Sequence, residues 1–312
     1  MGMLIKVIKF YARFTLSFTA IGYWWRSLFW DKTPPDFNGQ VWLVTGASGG
    51  LGRAIVLKAA RHGAVVLAAA RSAAKLDALV KEAPAGKVIP FPTDLALQRD
   101  TEALAAKLIL DGRKIDVLVN NVGILNNNFA LTAEGREESF ATNILNHFLL
   151  TERLIDKGAF RPDAVVVNMS SGGMYNAPLM VKFMNVTDES KYRGVFAYAV
   201  HKRGQAELTK YWQEKYGPRG MHFYVMHPGW AETAGVQRSL PNFYKVLNLI
   251  LRNGEQGTDT ALWLADTKPN CPPGAFWFDR APRDEHAYEA TKVTKDTPES
   301  LAEYLRGELA KG

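Results

Sequence analysis

Cysteine is almost absent. Cys271 is the one thiol among 312 residues, which excludes an internal disulfide framework and any thiolate cluster for zinc or iron–sulfur. A lone thiol suits a reducing compartment, so a cytoplasmic location is expected. Long apolar runs are missing too. In the N-terminal segment the longest uncharged stretch, Phe14 to Trp25, has 12 residues, whereas a helix crossing a bilayer needs about 20. His201 and His227 lack partners at ligand spacing, so no metal is expected. Internal repeats, low-complexity linkers and breaks in composition are also lacking, which argues for one domain. With 47% hydrophobic and 22% charged residues, the chain has ample material for a large core.

Acidic charge is in short supply at one end. Lys and Arg outnumber Asp and Glu 38 to 31. Residues 1–32 carry +4 of the net +7, through Lys6, Lys9, Arg13, Arg26 and Lys32 against Asp31. The remainder carries +3 and contains no basic-aromatic module, so nucleic acid is not an expected partner. Wound as a helix, the segment gathers Lys6, Lys9 and Arg13 in one sector and Leu4, Val7, Tyr11, Phe14, Phe18 and Trp25 on the other side. That is the pattern of an interfacial helix, and residues 1–32 are expected to anchor the protein at the cytoplasmic face of a membrane. Packing on the body, a dimer contact and a secretory signal are the alternatives.

Beyond the turn-forming Lys32–Gly39, short apolar strands alternate with amphipathic helices. Strands are expected at Gln40–Thr45, Val65–Ala70, Lys87–Phe91, Ile115–Val119, Ala164–Met169, His222–Met226 and Ala275–Phe278. Helices are expected at 51–62, 73–82, 101–110, 135–157, 197–216 and 255–265. This alternation predicts an α/β fold, a Rossmann-type doubly wound parallel sheet of about seven strands, spanning residues 37–280 as a single domain. Residues 281–312 form a tail with a short helix starting at Thr297.

Thr45-Gly-Ala-Ser-Gly-Gly-Leu-Gly52 follows the first strand and opens the first helix, the context in which a glycine pattern means dinucleotide binding. Gly46, Gly50 and Gly52 permit the tight turn, close approach to a pyrophosphate, and packing of helix on strand; the anion sits at the positive helix end. The second strand ends in Ala68-Ala-Ala-Arg71, with no carboxylate for a ribose 2′-hydroxyl. An arginine there can pair with a 2′-phosphate, so NADP(H) is favoured over NAD(H).

Together with TGASGGLG at 45–52, the motifs Asp94-Leu95, Asn120-Asn121-Val122-Gly123, Asn143, Ser170-Ser171, Tyr198-x-x-x-Lys202 and Pro228-Gly229 resemble the short-chain dehydrogenase/reductases, over residues 40–280 and in the right order. VNMSSGGM at 167–174, MHPGWAET at 226–233 and FWFDRAPR at 276–283 resemble the retinol dehydrogenase branch. The resemblance implies a catalytic set of Asn143, Ser171, Tyr198 and Lys202. It implies a cofactor site formed by Gly46, Ser48, Gly49, Gly50, Leu51, Gly52, Arg71, Asp94, Leu95, Asn120, Asn121, Gly123, Tyr198, Lys202, Pro228, Gly229 and Thr233. It also implies a homo-oligomer paired through helices 101–110 and 197–216.

The residue types suit a carbonyl–alcohol interconversion. A carbonyl accepting hydride needs a proton on oxygen, which a phenol can give. Lys202, one turn along the helix, is expected to lower the Tyr198 pKa. Ser171 can hydrogen-bond the same oxygen, and the resemblance gives Asn143 a water-positioning role. Three features depart from the family: Val122 replaces the usual alanine, Gly49 stands where NADP-dependent relatives carry a basic residue, and Ser171 and Tyr198 lie 27 residues apart. The intervening Met174, Tyr175, Met180, Phe183 and Met184 either line a substrate mouth or pack as core. The expected substrate is a lipophilic carbonyl or alcohol. A non-catalytic nucleotide-binding scaffold or redox sensor at a membrane surface is the alternative.

Overall fold

The computed structural model describes residues 12–270 and 275–311. Expectations for Leu4, Lys6, Val7, Lys9, Tyr11 and Cys271 fall outside these residues. The chain forms α1 (Ala20–Ser27), β1 (Val41–Thr45), α2 (Gly50–Arg61), β2 (Val65–Ala70), α3 (Ala73–Glu82), β3 (Val88–Pro92), α4 (Gln98–Asp111) and β4 (Ile115–Asn120). A turn at Glu138–Phe140 and a π-helical turn at Ala141–Leu145 then lead into α5 (Asn146–Asp156). There follow β5 (Phe160–Met169), α6 (Gly194–Tyr216), β6 (His222–Met226), α7 (Ala234–Ser239), α8 (Pro241–Leu247), α9 (Gly254–Thr267), β7 (Phe276–Phe278), β8 (Ala281–Arg283) and α10 (Pro298–Leu309).

The sheet has 8 strands in the order β3-β2-β1-β4-β5-β6-β7-β8. All neighbours pair in parallel except β7 and β8. Alternate strand residues face opposite layers, as the period of two requires. Leu43, Leu67, Leu118 and Val166 pack with α4, α5, α6 and α10, while Trp42, Val44, Val66, Val117 and Val165 pack with α2, α3 and α9. The order reverses between β1 and β4, the switch point at whose strand carboxyl ends doubly wound sheets form their ligand crevice.

One strand more is present than the seven expected. The extra strand, β8, turns back from β7 through Asp279 and Arg280, whose φ angles are +51° and +55°. A two-residue hairpin turn of this hand needs positive φ at both positions, usually Asn-Gly, and these residues adopt it at a cost of about 1 kcal/mol each. Ion pairs hold them there. Asp279 takes Arg252 Nη1 at 2.6 Å and Nη2 at 2.8 Å, and accepts from Arg26 Nε at 2.7 Å. Arg280 binds Asp259 through two 2.7 Å bonds.

This cluster also fastens the N-terminal segment. Arg252 Nε donates to the Phe18 carbonyl at 2.9 Å, and Trp230 N donates to the same oxygen at 2.8 Å. Phe14 and Phe18 are buried among Tyr175, His227 and Phe278. Those two rings therefore face the protein, a correction to the lipid-facing side assigned them, because the aromatic floor of β7 and the Pro228 loop offers them a closer apolar partner. Ile21, Trp24, Trp25, Leu28 and Phe29 remain exposed, Trp24 and Trp25 by 60% each.

The tail helix α10 buries Leu301, Ala302 and Leu305 in the layer that includes Trp212 and Tyr216 of α6. Arg306 Nη2 bridges from it to Glu152 Oε2 at 3.0 Å.

Asp279 and Arg252 are 3% and 1% exposed, so removing one charge leaves the other buried and unmatched. Asp279→Asn should lower unfolding stability by about 3 kcal/mol, read as a fall in the urea midpoint. An unchanged midpoint would show that the Asp279–Arg252 pair does not hold the hairpin.

Candidate active site

The crevice is shaped first by β1. Thr45 is fully buried at its end, and its Oγ1 accepts the backbone N–H of Asn121 at 2.9 Å and of Val122 at 3.1 Å. Asn121 Nδ2 returns a 2.8 Å bond to the Thr45 carbonyl. The glycine loop and the Asn121–Gly123 loop are thereby joined. Gly46 has φ of +65°, and a β-carbon on Gly52 would stand 2.2 Å from the Gly46 carbonyl. Only glycines let this turn close.

Gly49 precedes α2 without a side-chain cap, and the first turn of α2 has no acidic residue. Nothing lies within 4 Å of a β-carbon placed on Gly49. Uncapped N–H groups at a positive helix end, in open space, fit the phosphates of a dinucleotide. Ser48 is half-buried in this loop, while the Leu51 side chain packs toward Gly257 of α9. Thr233 Oγ1 accepts from Val236 N at 3.1 Å, and its Cγ2 lies 3.3 Å from a β-carbon built on Gly50, so Thr233 faces the glycine loop from across the crevice.

Arg71 is exposed at the end of β2, beside β1. Asp94 is half-buried after β3 and accepts from Ala96 N at 3.0 Å, and the Leu95 carbonyl is held by Asn146 Nδ2 at 2.9 Å. Pro228 and Gly229 follow β6, where Arg252 Nη1 reaches the Pro228 carbonyl at 3.5 Å. Asn120 differs from expectation. Its side chain is fully buried and donates to Thr151 Oγ1 at 3.0 Å and Asn168 Oδ1 at 2.9 Å, so it braces the sheet rather than facing the crevice.

The four residues assigned to catalysis are brought to one wall. Tyr198 lies against Gly173, 3.4 Å from a β-carbon built there, with Ser171 Oγ 3.6 Å from the same point. Ser171 Oγ accepts from Gly173 N at 3.2 Å, which leaves its own proton to donate. Lys202 Nζ is 5.5 Å from the centre of the Tyr198 ring, and a β-carbon on Gly123 would sit 3.2 Å from it. Asn143 lies in the π-helical turn, a form that recurs at functional sites. Its Oδ1 accepts from Ile124 N and its Nδ2 donates to the Ile124 carbonyl, both at 2.8 Å. The Asn143 side chain thus fastens the loop after β4.

Burial dominates the electrostatics. It pushes the Tyr198 phenol above its ordinary value, and a hydrogen bond with Ser171 only partly offsets this. The expected lowering of the Tyr198 pKa by Lys202 is therefore corrected: burial outweighs it and holds the phenol above its ordinary value. The same burial pulls Lys202 down to about 7. His147 and His201, both beside Lys202, fall to about 3 and about 4, burial being the larger cause.

In the insertion between Ser171 and Tyr198, Met174, Tyr175 and Met184 are buried core residues. Arg203 pins the insertion by donating to the carbonyls of Ala177 at 3.1 Å and Met174 at 3.3 Å. Phe183 stays partly exposed, edge-on to Phe196 at 5.7 Å. Packing is therefore the role of three of the five. Sequence reasoning missed α7, whose Ser239 Oγ donates to the Leu125 carbonyl at 2.7 Å and so covers the loop beside Asn143. It also missed Gln205, which sits beyond the Tyr-x-x-x-Lys motif.

Residues 40–242 match the family model described as short chain dehydrogenase. The human protein named dehydrogenase/reductase SDR family member 12 is 32% identical, with 98% of each chain covered. Mouse retinol dehydrogenase 12 is 28% identical over 75% of each chain. Among solved structures, a putative uncharacterized protein from Mycobacterium paratuberculosis superposes with a TM-score of 0.69 at 25% identity, covering 89% of this chain and 95% of that one.

Proposed function

The chain belongs to the short-chain dehydrogenase/reductases, oxidoreductases of alcohol and carbonyl groups that bind NAD(P), and from that premise we propose that it is an NADP(H)-dependent enzyme reducing or forming a carbonyl on a lipophilic small molecule, with Tyr198 as general acid and base. The observation that carries this reading is the meeting of Tyr198, Ser171, Lys202 and Asn143 on one wall of the crevice, beside an uncapped helix end.

The glycine loop at the start of α2 would hold a dinucleotide, whose nicotinamide would supply the hydride. Tyr198, protonated across the neutral range because burial raises its pKa, gives its proton to the carbonyl oxygen. Ser171, which accepts from Gly173 and shares a hydrogen bond with Tyr198, turns its proton to that oxygen when the carbonyl lies against the phenol. The Lys202 ammonium beneath the ring stabilises the phenolate left behind. Asn143 acts through the loop it fastens to Ile124. The exposed guanidinium of Arg71, at a position without a carboxylate, supports a 2′-phosphate. The basic residues of 1–32 other than Arg26, which is paired with Asp279, and the exposed Trp24, Trp25, Leu28 and Phe29 support a place at an anionic membrane surface, where a lipophilic substrate concentrates.

Detergent-solubilised protein should consume NADPH on one or more members of a panel of lipophilic aldehydes and ketones. Tyr198→Phe should lower that turnover by at least about 100-fold with NADPH binding retained. If both proteins bind NADPH and neither consumes it on any carbonyl, the scaffold or sensor reading takes over. Arg71→Asp should weaken NADPH binding at least about tenfold and leave NADH binding nearly unchanged. Equal affinity in variant and wild type would remove the 2′-phosphate assignment. Full-length protein should sediment with anionic liposomes, and a variant in which the exposed Trp24, Trp25 and Phe29 are replaced by serine should stay in solution; identical behaviour of the two would refute the anchor.

A further inference from the structure

Gln205 lies one turn beyond Lys202 on α6, and every polar atom of its amide is engaged inside the protein. Its Oε1 accepts from Lys202 Nζ at 3.2 Å. Its Nε2 donates to the Asn143 carbonyl at 2.7 Å and meets His147 Nδ1 at 3.3 Å. The remaining bond of Lys202 goes to the Met169 carbonyl at 2.8 Å. Gln205, Lys202, Asn143 and His147 are all 3% exposed or less.

Two local features put the amide there. The π-helical turn Ala141–Leu145 displaces backbone carbonyls from the regular ladder, and the Asn143 carbonyl faces α6. Gly204 lets α6 come close, since a β-carbon on it would stand 2.4 Å from Ile144 Cδ1.

We propose that Gln205 is a positioning residue: it holds the Lys202 ammonium against Tyr198, and by tying that ammonium to the Asn143 turn it sets how firmly Lys202 keeps its proton. The inference rests on the reading of Tyr198 and Lys202 as the proton-handling pair. A neutral acceptor suits this task. A carboxylate would neutralise the field that Lys202 exerts on Tyr198, and an apolar side chain would leave the buried ammonium one partner short.

The groups facing Lys202 make its titration legible. Tyr198 and His201 come from its own helix, His147 from α5, the Met169 carbonyl from β5, and Gly123 from the loop after β4. Both histidines are neutral over the working range. Lys202, lowered to about 7, is charged below that pH and loses its proton above it. Carbonyl reduction should therefore decline as pH rises through this value.

The test is the titration of Lys202 in cofactor-free protein labelled with 13C at lysine Cε, its signal assigned by its loss in Lys202→Met. Gln205→Met should lower the midpoint by about one pH unit, and Gln205→Glu should raise it by about one. The alkaline limb of the pH profile for kcat should move in the same order, with KM little changed. A side chain that only fills space would lower activity without moving the midpoint. Should Gln205→Met fail to fold, Gln205→Glu, of nearly the same shape, carries the test alone. A midpoint unmoved in the folded variants overturns the proposal. Midpoints that move while Tyr198→Phe keeps full turnover would leave the Gln205–Lys202 coupling standing and bring down the proton-transfer reading instead.

Discussion

A lysine ammonium with almost no water around it is costly to keep. Lys202 is in that position. It is 3% exposed and has two oxygens within reach, the Met169 carbonyl and Gln205 Oε1. The elements around it are arranged to supply those partners: β5 delivers the carbonyl, α6 delivers the lysine and the amide, and the π-helical turn anchors the amide from behind. Thr45 joins the glycine loop to Asn121, and Asn143 joins Ile124 to the same turn, so the floor of the crevice and the buried charge share one framework.

A second buried charge organises the β7–β8 edge of the sheet. Arg252 gathers Asp279, the Phe18 carbonyl and the Pro228 carbonyl, and its backbone pairs with Trp230 and Glu232. The N-terminal segment, the hairpin between β7 and β8, and the loop after β6 are therefore one unit. Through Arg26, Asp279 and Arg252, α1 is joined to the loop after β6.

Much of this was legible in the residues. Seven strands and their alternation with helices follow from short apolar runs separated by amphipathic stretches, and the glycine loop follows from its place between strand and helix. Other parts had no signal of that kind. The turn at Asp279–Arg280 contains no glycine or asparagine, because ion pairs with Arg252, Arg26 and Asp259 hold it instead. Helical periodicity cannot register a single π-helical turn, so the region around Asn143 reads as ordinary helix. The aromatic side of the N-terminal segment looks the same whether its partner is lipid or protein, and Phe14 and Phe18 found protein. Asn120 sits in a motif yet turns inward. Gln205 belongs to no motif, and its part depends on a carbonyl 62 residues away in sequence.

In the proposed reaction the crevice would bring a carbonyl carbon and a nicotinamide together for hydride transfer. This transfer is tested most directly with NADPH carrying deuterium at C4, on each face in turn, and mass spectrometry of the alcohol formed. The account predicts one deuterium on the carbinol carbon for one of the two labels, and none for the other. Alcohol formed without deuterium from either label, while NADPH is oxidised, would contradict it.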